Sequence, residues 1–342
     1  MSDSASQASQ AEPPEAAGAR DDRRRSQIDR LNSIVARYGL LIAFAVMILA
    51  FSLAKPDSFP TWANAESILT AAAPALIVAA GLTVPLVMQD FDLSFGSMIG
   101  LAGGAAVVMM VDNDAAWPVA ILVALALGLG AGVANGYLIA FLGGSSFIIT
   151  LAMGTVLTGL EFMFTDQKTI FAGVAEGYVE IGQGDSILGL NNQIWIAAVI
   201  AIVLWVVLDQ SELGRYMYAI GGNPEAARLS GVRIRQIRLI GFVIVALAAT
   251  IVGILLTAQA ASSVPNTGVP YLLPAFAAVF LGSAVFRPGE FNIPGTVVGV
   301  LFLGVIQTGL TMLQLETFVI NLVQGAILIV AVLVSRLGQR AA

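Results

Sequence analysis

The sequence predicts an all-α fold: a polytopic membrane helix bundle of about ten transmembrane helices, with one short helix on the cytoplasmic side. Its 342 residues are 58% hydrophobic and only 11% charged, whereas about 25% of the residues in soluble domains are charged. Apolar runs recur along the chain. A run of about 20 residues, at 1.5 Å per residue, crosses roughly 30 Å of hydrocarbon. These two observations place the chain in a membrane.

Ten predicted spans give the order of the elements. Pro74 and Pro85 fall within the second span, and Pro270 and Pro274 open the eighth. Proline removes a backbone donor, so either span can be a kinked, broken or re-entrant helix. We expect the spans at about 38–54, 66–88, 95–111, 117–141, 146–165, 193–209, 237–258, 270–286, 292–312 and 317–335.

Polar segments flank the predicted bundle. Residues 1–36 contain no apolar run and predict a disordered cytoplasmic tail. Residues 37–336 form the transmembrane domain, and residues 337–342 form a second, short cytoplasmic tail.

The arginines predict the orientation, because Lys and Arg prefer the cytoplasmic ends of short membrane loops. With both termini inside, ten spans place every arginine on the cytoplasmic side, while Lys55 and Lys168 lie outside. This topology puts a loop at 210–236 in the cytoplasm. It makes the polar segment 166–192 the largest one outside the membrane.

Glycines recur every four residues on three of the spans. Small residues at this spacing let a neighbouring helix backbone approach closely. We therefore expect helix–helix contacts there, with a substrate-facing groove as the less favoured alternative. The positions are Gly128, Gly132 and Gly136 on the fourth span, Gly96 and Gly100 on the third, and Gly295 and Gly299 on the ninth.

Missing residue types exclude several kinds of chemistry. The chain has no Cys and no His, which excludes disulfides, thiolate chemistry, zinc clusters and histidine bases. Neither lysine follows a glycine, so the sequence holds no Gly-x-x-x-x-Gly-Lys-Ser/Thr phosphate loop. If ATP drives this protein, another chain binds it.

One polar stretch, GGNPEAARLSG at residues 221–231, has the start and stop signals of a helix. Asn223 is a favoured N-cap, and Pro224 suits the first helical position. Glu225 complements the helix dipole, and Gly231 can adopt the left-handed conformation that ends a helix. The expected helix has about seven residues, roughly 10 Å, and is marginal alone in water.

Two interpretations of this helix stay open on physical grounds. It is either a capped connector lying on its own bundle or a docking element for a soluble partner. In the second interpretation two alanines offer close-contact surface and arginines border it: Ala226, Ala227, Arg228, Arg233, Arg235 and Arg238. The candidate partner-binding residues are Gly222, Asn223, Pro224, Glu225, Ala226, Ala227, Arg228, Ser230 and Gly231.

Four stretches carry a resemblance to a known family. Residues 212–238, ELGRYMYAIGGNPEAARLSGVRIRQIR, closely resemble the cytoplasmic EAA-type loop of ABC importer permeases. Within that class the chain looks most like the branch that includes ribose, xylose, galactose and autoinducer-2 permeases. The other matching stretches are DFDLSFGSMIGLAGG at 90–104, NGYLIAFLGGSSFIITLAMGT at 135–155 and PGTVVGVLFLGVIQTGLTML at 294–313.

The resemblance implies a permease subunit in a bacterial inner membrane, not an enzyme. Its coupling helix, Asn223 to Gly231, would dock on an ABC ATP-binding subunit, with Glu225 and Gly231 at the family's acidic and glycine positions. The chain itself would hold no cofactor, because ATP and Mg²⁺ bind the ATPase. The other expected partners are a periplasmic solute-binding protein, a second permease, identical or similar, and membrane lipid. No nucleic acid is expected.

The expected solute is a monosaccharide or a related polar molecule. Many sugar permeases carry a Gly-Gly-rich turn before the penultimate span. This chain instead has LGSAVFRPGEFNIPG at residues 281–295, which weakens the assignment of a particular sugar.

Polar side chains at or within the spans are the candidate solute-pathway residues, because such groups usually face a cavity or an interface. For Asp92 with Ser94, a local cap on the third helix is the favoured alternative. For Glu161, near the outer end of the fifth span, plain solvation and a pathway role are equally open. The candidates are Asp92, Ser94, Asn135, Gln259 and Gln307.

Two other classes of protein compete with a permease subunit. An ion-coupled secondary transporter of a small polar solute should show inverted repeats and central acidic residues, and neither is evident. A membrane enzyme usually needs His, Cys or clustered Asp. GQGD, at residues 182–185, fits an intramembrane aspartyl protease pattern, but its Asp185 lies in the polar outer segment rather than in a span.

Overall fold

The described part of the chain is built from helices. The structure is a computed structural model that describes residues 39–287, 289–327 and 329. Within these ranges the elements are helices, and the only β-pairing is two isolated bridges. The predicted all-α bundle is therefore confirmed. The predicted tails, residues 1–36 and 337–342, and the end of the tenth predicted span lie outside the described residues.

In the first half of the chain the helices follow the predicted spans closely. Helix α2 begins four residues earlier than predicted, because the Thr61 hydroxyl accepts a hydrogen bond from Asn64 N at 3.2 Å. Pro74 and Pro85 lie inside α2 without interrupting it. The helices are α1 Gly39–Ala54, α2 Trp62–Val87, α3 Phe95–Val111, α4 Trp117–Ala140 and α5 Ser146–Thr165.

The second half alternates long and short helices. Helix α7 continues into a π-helical turn at Val206–Gln210, and a 3₁₀ turn at Val269–Tyr271 leads into α11. The helices are α6 Glu176–Gln183, α7 Asn192–Trp205, α8 Glu212–Gly222, α9 Pro224–Leu229, α10 Ile234–Ala260, α11 Leu272–Gly282, α12 Ile293–Met312 and α13 Thr317–Ile327.

In the described part of the chain, six helices are long and apolar enough to cross a membrane. They are α2, α4, α5, α7 with its π-helical turn, α10 and α12. Helices α1, α3 and α13, and α11 with its 3₁₀ turn, are apolar but shorter. The count of ten spans stays a prediction.

The eighth predicted span differs most from the structure. It was expected over 270–286, but α11 ends at Gly282 and its 11 residues extend only about 16 Å. Gly282 lies so close to α12 that an added Cβ would stand 2.5 Å from Thr296 N. After it the chain turns, and Phe286 adopts a positive φ of 63°. The helix therefore ends where it packs closely on α12, before it could cross the bilayer.

Helix α10 is central, and it packs against α2, α3, α4 and α6. The predicted glycine contacts on α4 are confirmed: an added Cβ on Gly132 would lie 2.7 Å from Val243 Cα, and one on Gly136 would lie 2.7 Å from Leu239 Cα. Gly295 and Gly299 lie against α11 in the same way. These close approaches explain why backbones rather than side chains meet along the α4–α10 and α11–α12 seams.

The polar segment 166–192 packs onto the bundle. It contains α6, whose buried Tyr178 hydroxyl lies 2.6 Å from Thr257 Oγ1 on α10. Gln193 Nε2 donates to Gly182 O at 2.8 Å. Asp185 lies just beyond α6, exposed and outside every spanning helix that the structure describes, so the GQGD sequence does not form a protease site there.

Candidate functional site

Helix α9 has the capped geometry that its sequence predicts. Asn223 Oδ1 accepts hydrogen bonds from Glu225 N at 3.1 Å and from Ala226 N at 3.0 Å. The Glu225 carboxylate lies 2.5 Å from the Arg228 guanidinium on the same face. Gly231 has a φ of +85° and donates from its N–H to Arg228 O at 3.0 Å. Both ends of this short helix are thereby fixed.

Exposure divides α9 into an inner and an outer face. Ala227 is only 5% exposed, so it anchors α9 to the bundle and does not offer the close-contact surface predicted for it. Leu229, which is not among the predicted docking residues, is 80% exposed. Two residues along a helix correspond to about 200°, so burial of Ala227 turns Leu229 outward. The helical period alone could have indicated this residue.

Helix α8 carries α9 and was not predicted as a helix. Gly222, a candidate docking residue, is the last residue of α8 rather than part of α9. Gly221 packs against the backbone of Val87 at the end of α2. The Tyr218 hydroxyl donates to Phe291 O at 2.9 Å, just before α12. Helix α9 is therefore mounted on an element that contacts both α2 and the start of α12.

Arginines gather at the same end of the bundle as α9. Arg238 was expected to border α9, but instead it forms a two-point ion pair with Asp90, with Nε 2.6 Å from Oδ2. The Asp90 side chain is only 3% exposed. Arg287 pairs with Asp209 at 2.8 Å, and Arg235 lies 6.0 Å from the Phe141 ring centroid. The arginine-rich end predicted by topology therefore exists as one surface, while its direction in the membrane stays a prediction.

Three of the five candidate pathway residues form one buried cluster. Asp92 Oδ1 accepts from Ser94 N at 2.7 Å and from Ser94 Oγ at 2.6 Å. Asn135 Nδ2 donates to Ser94 Oγ at 2.8 Å. Asp92 lies in the segment between α2 and α3, where burial raises the pKa of its carboxyl to about 6 and the Ser94 hydrogen bonds partly offset that effect. The cap expected on the third helix is seen only in part, because Ser94 is the N-cap residue of α3 but its side chain makes no capping hydrogen bond.

The other two candidates lie elsewhere. Gln259 is exposed near the end of α10, and its carbonyl accepts from Gln183 Nε2 at 2.8 Å. Gln307 lies on α12, where its Oε1 accepts from Gln324 Nε2 of α13 at 2.6 Å. The five predicted residues therefore occupy three separate places rather than one site.

Glu161 requires a correction, because it is 1% exposed and not solvated. Its Oε1 accepts from Asn266 N at 2.9 Å. An added Cβ on Gly100 would lie 2.6 Å from both carboxylate oxygens. The carboxylate therefore sits against the glycine of α3 and holds the loop that follows α10.

Among the described residues, no group of three or more His, Cys, Asp or Glu side chains is arranged to hold a metal ion. The bundle, with a short capped helix presented outside it, defines a polytopic membrane protein.

Comparison with known proteins identifies the family. Residues 64–332 match the family described as branched-chain amino acid transport system / permease component. The ribose import permease protein of Escherichia coli K12 is 34% identical over 300 residues, covering 86% of this chain and 92% of that protein. The L-arabinose transport system permease protein of the same strain is 33% identical over 314 residues, with 89% and 92% covered. The chain belongs to this family of permease components.

A third relative, the D-allose transport system permease protein of Escherichia coli K12, is 27% identical over 301 residues, covering 88% of this chain and 92% of that protein. No solved structure matches the chain. The resemblance to permease subunits of sugar-type ABC importers is confirmed by these matches. The chain is accordingly a multi-pass inner-membrane transport subunit rather than an enzyme.

Proposed function

We propose that this chain translocates a monosaccharide or a related polar solute, driven by ATP hydrolysis on a separate ABC ATP-binding subunit. A periplasmic solute-binding protein delivers the solute, and a second permease, identical or similar, completes the membrane path. ATP and Mg²⁺ bind the ATPase, and the permease needs no cofactor of its own.

The geometry of α9 supports the coupling step. The helix is capped at both ends, is exposed on every residue except Ala227, and presents Leu229 outward. A helix of six residues is marginal alone in water. Caps and the Ala227 anchor make it rigid enough to be pushed without unfolding. Its mounting on α8 gives a displacement of α9 a route to α2 and α12.

The names of the relatives support the solute class. Curated relatives are named for ribose, L-arabinose and D-allose, which are all neutral sugars. We carry the class, and not one sugar, over to this chain.

Reconstitution tests this function. The full chain, its ATPase and its binding protein are placed in proteoliposomes, and uptake of radiolabelled D-ribose, L-arabinose and D-allose is measured. We expect uptake of at least one sugar that requires ATP and both partners. The control is an ATPase whose phosphate-loop lysine is replaced. Uptake at full rate from an ion gradient, with no ATPase present, would instead show a secondary transporter.

A further inference from the structure

Three adjoining cavities run along one side of the bundle. The first, of about 560 Å³, lies between α2 and α12 next to the α1–α2 connection. The second, of about 530 Å³, lies between α2, α11, α12 and α13 and shares Gln307 and Thr308 with the first. The third, of about 480 Å³, shares Asn321 and Gln324 with the second. We call these three cavities together the amide groove.

The polar lining of the amide groove is almost entirely uncharged. Asp57, at the outer mouth, is the one Asp, Glu, Lys or Arg among the residues that line the three cavities. Beyond it the polar side chains are hydroxyls and amides, including Thr308, Gln307, Asn321 and Gln324. Apolar residues of α11 and α12 form the remaining wall.

These amides are exposed on helices whose other residues are mostly apolar. Gln307 is exposed on α12, and Asn321 is exposed on α13. Amide groups that face hydrocarbon would leave several hydrogen bonds unmade, at several kcal/mol for each group. Water or protein, rather than lipid, must therefore fill this side of the bundle.

Helix α11 forms one wall of the amide groove. It extends only about 16 Å, and Pro270 and Pro274 near its start line the second and third cavities. The groove is therefore lined by the first part of α11 and not by the end at Gly282.

The two glutamines meet where the first cavity joins the second. Gln307 lines both of these cavities, Gln324 lines the second and third, and the two side chains share a hydrogen bond of 2.6 Å. We infer that the amide groove is the part of the solute path contributed by one copy of the chain, and that the Gln307–Gln324 pair is its constriction. This inference rests on the proposed function.

The chemistry of the groove selects a neutral solute with several hydroxyl groups. Each amide offers donors and acceptors, so a sugar hydroxyl can replace the Gln307–Gln324 hydrogen bond when the pair opens. A charged solute would lose its hydration with no opposite charge beyond Asp57 to compensate. Gln307 and Gln324 are therefore positioned to decide which solutes pass.

Cysteine accessibility tests the groove without knowledge of the solute, because the chain contains no cysteine. Thr308→Cys and Gly304→Cys lie in the groove. Matched controls are Thr155→Cys on α5 and Gly130→Cys on α4, which are more exposed in the isolated chain but lie outside the groove. The full transporter in inner-membrane vesicles is treated with a water-soluble methanethiosulfonate, and the labelling rate of each variant is measured.

We expect the groove positions to react about tenfold faster than their controls or more, because burial in lipid suppresses the reactive thiolate. Equal rates in each pair, or faster labelling of the controls, would overturn the groove. This readout does not depend on transport, so it holds even if the proposed solute class is wrong.

A cross-link tests the constriction. In the Gln307→Cys/Gln324→Cys variant, a short bis-methanethiosulfonate should join the two positions and reduce uptake of whichever of the three sugars the unmodified transporter takes up at least tenfold, with recovery after dithiothreitol. The control is Thr155→Cys/Gly159→Cys, a pair one turn apart on α5, which should cross-link without loss of uptake. Failure of the first pair to cross-link, or full uptake by the cross-linked protein, would overturn the constriction. Absence of uptake by the unmodified transporter would count against the proposed function instead.

Discussion

Two carboxylates that are two residues apart have different partners. Asp90 is held by Arg238, from the first turns of α10, whereas Asp92 accepts from the backbone and hydroxyl of Ser94. Both are buried. The first therefore ties two distant segments together, and the second shapes the chain just before α3.

Loss of Arg238 should destabilise the protein strongly. Arg238→Ala leaves Asp90 buried without its counter-charge, and removal of one member of such a pair costs about 3 kcal/mol. We expect a clear fall in the thermal unfolding midpoint of the full chain purified in detergent. The Asp90→Asn/Arg238→Gln variant removes both charges and should recover most of the loss. Equal midpoints for the single and double variants would show that charge pairing is not the cause.

Local chemistry predicts some residues well and others not at all. Asn223 and Gly231 were identified because capping depends on neighbours in sequence. The burial of Glu161 against Gly100 and the pairing of Gln307 with Gln324 depend on packing between distant helices. No pattern in one sequence specifies such packing.

At the level of elements, α9 differs from the spanning helices because Ala227 is the one buried residue among its six. The large apolar side chain on its outer surface is Leu229, which is 80% exposed. A large apolar side chain exposed on this polar helix offers apolar area that a partner could bury. The docking hypothesis therefore depends more on Leu229 than on the alanines.

Replacement of Leu229 should reduce ATP-driven transport by weakening the contact with the ATPase. Leu229→Asp puts a charge where we expect an apolar pocket of the ATPase, so ATP-driven uptake should fall about tenfold or more while the chain still inserts. Leu188→Asp is the matched control, because Leu188 is 85% exposed in the outer segment and Asp tolerates its positive φ. Uptake and co-purification of the ATPase are measured for both. Unchanged uptake by Leu229→Asp would contradict docking through this residue.

Hydropathy predicts the long apolar helices well, but it does not indicate the short, more polar ones. The long helices begin and end near their predicted limits. Helices α6 and α8 are too polar to stand out, and each depends on contacts with other elements, such as that of Tyr178 with Thr257. Helix α11 was expected to be longer because its apolar run continues past Gly282, where the helix ends against α12.

At the scale of the whole molecule, two of the ion pairs lie at the same end of the bundle. Arg238–Asp90 joins the first turns of α10 to the segment after α2, and Arg287–Asp209 joins the segment before α12 to the π-helical turn after α7. This arrangement agrees with a cytoplasmic end rich in arginine.

Single cysteines can determine the orientation. Ser230→Cys and Ser186→Cys are both exposed, at opposite predicted sides of the membrane, in a chain that has no other thiol. In intact cells a membrane-impermeant maleimide should label Ser186→Cys only, and in inside-out vesicles it should label Ser230→Cys only. Labelling of both from one side would overturn the predicted topology.

The contact between Tyr218 and Phe291 has a mechanical consequence. Phe291 lies two residues before α12, a continuous helix of 20 residues whose other half carries Gln307. A continuous helix moves nearly as a rigid rod, so an ångström-scale shift of α8 would reach the glutamine pair with little loss. The displacement of α9 by the ATPase and the displacement of the Gln307–Gln324 pair would then be of similar size. Neither a hinge nor a long series of side-chain contacts is needed between them.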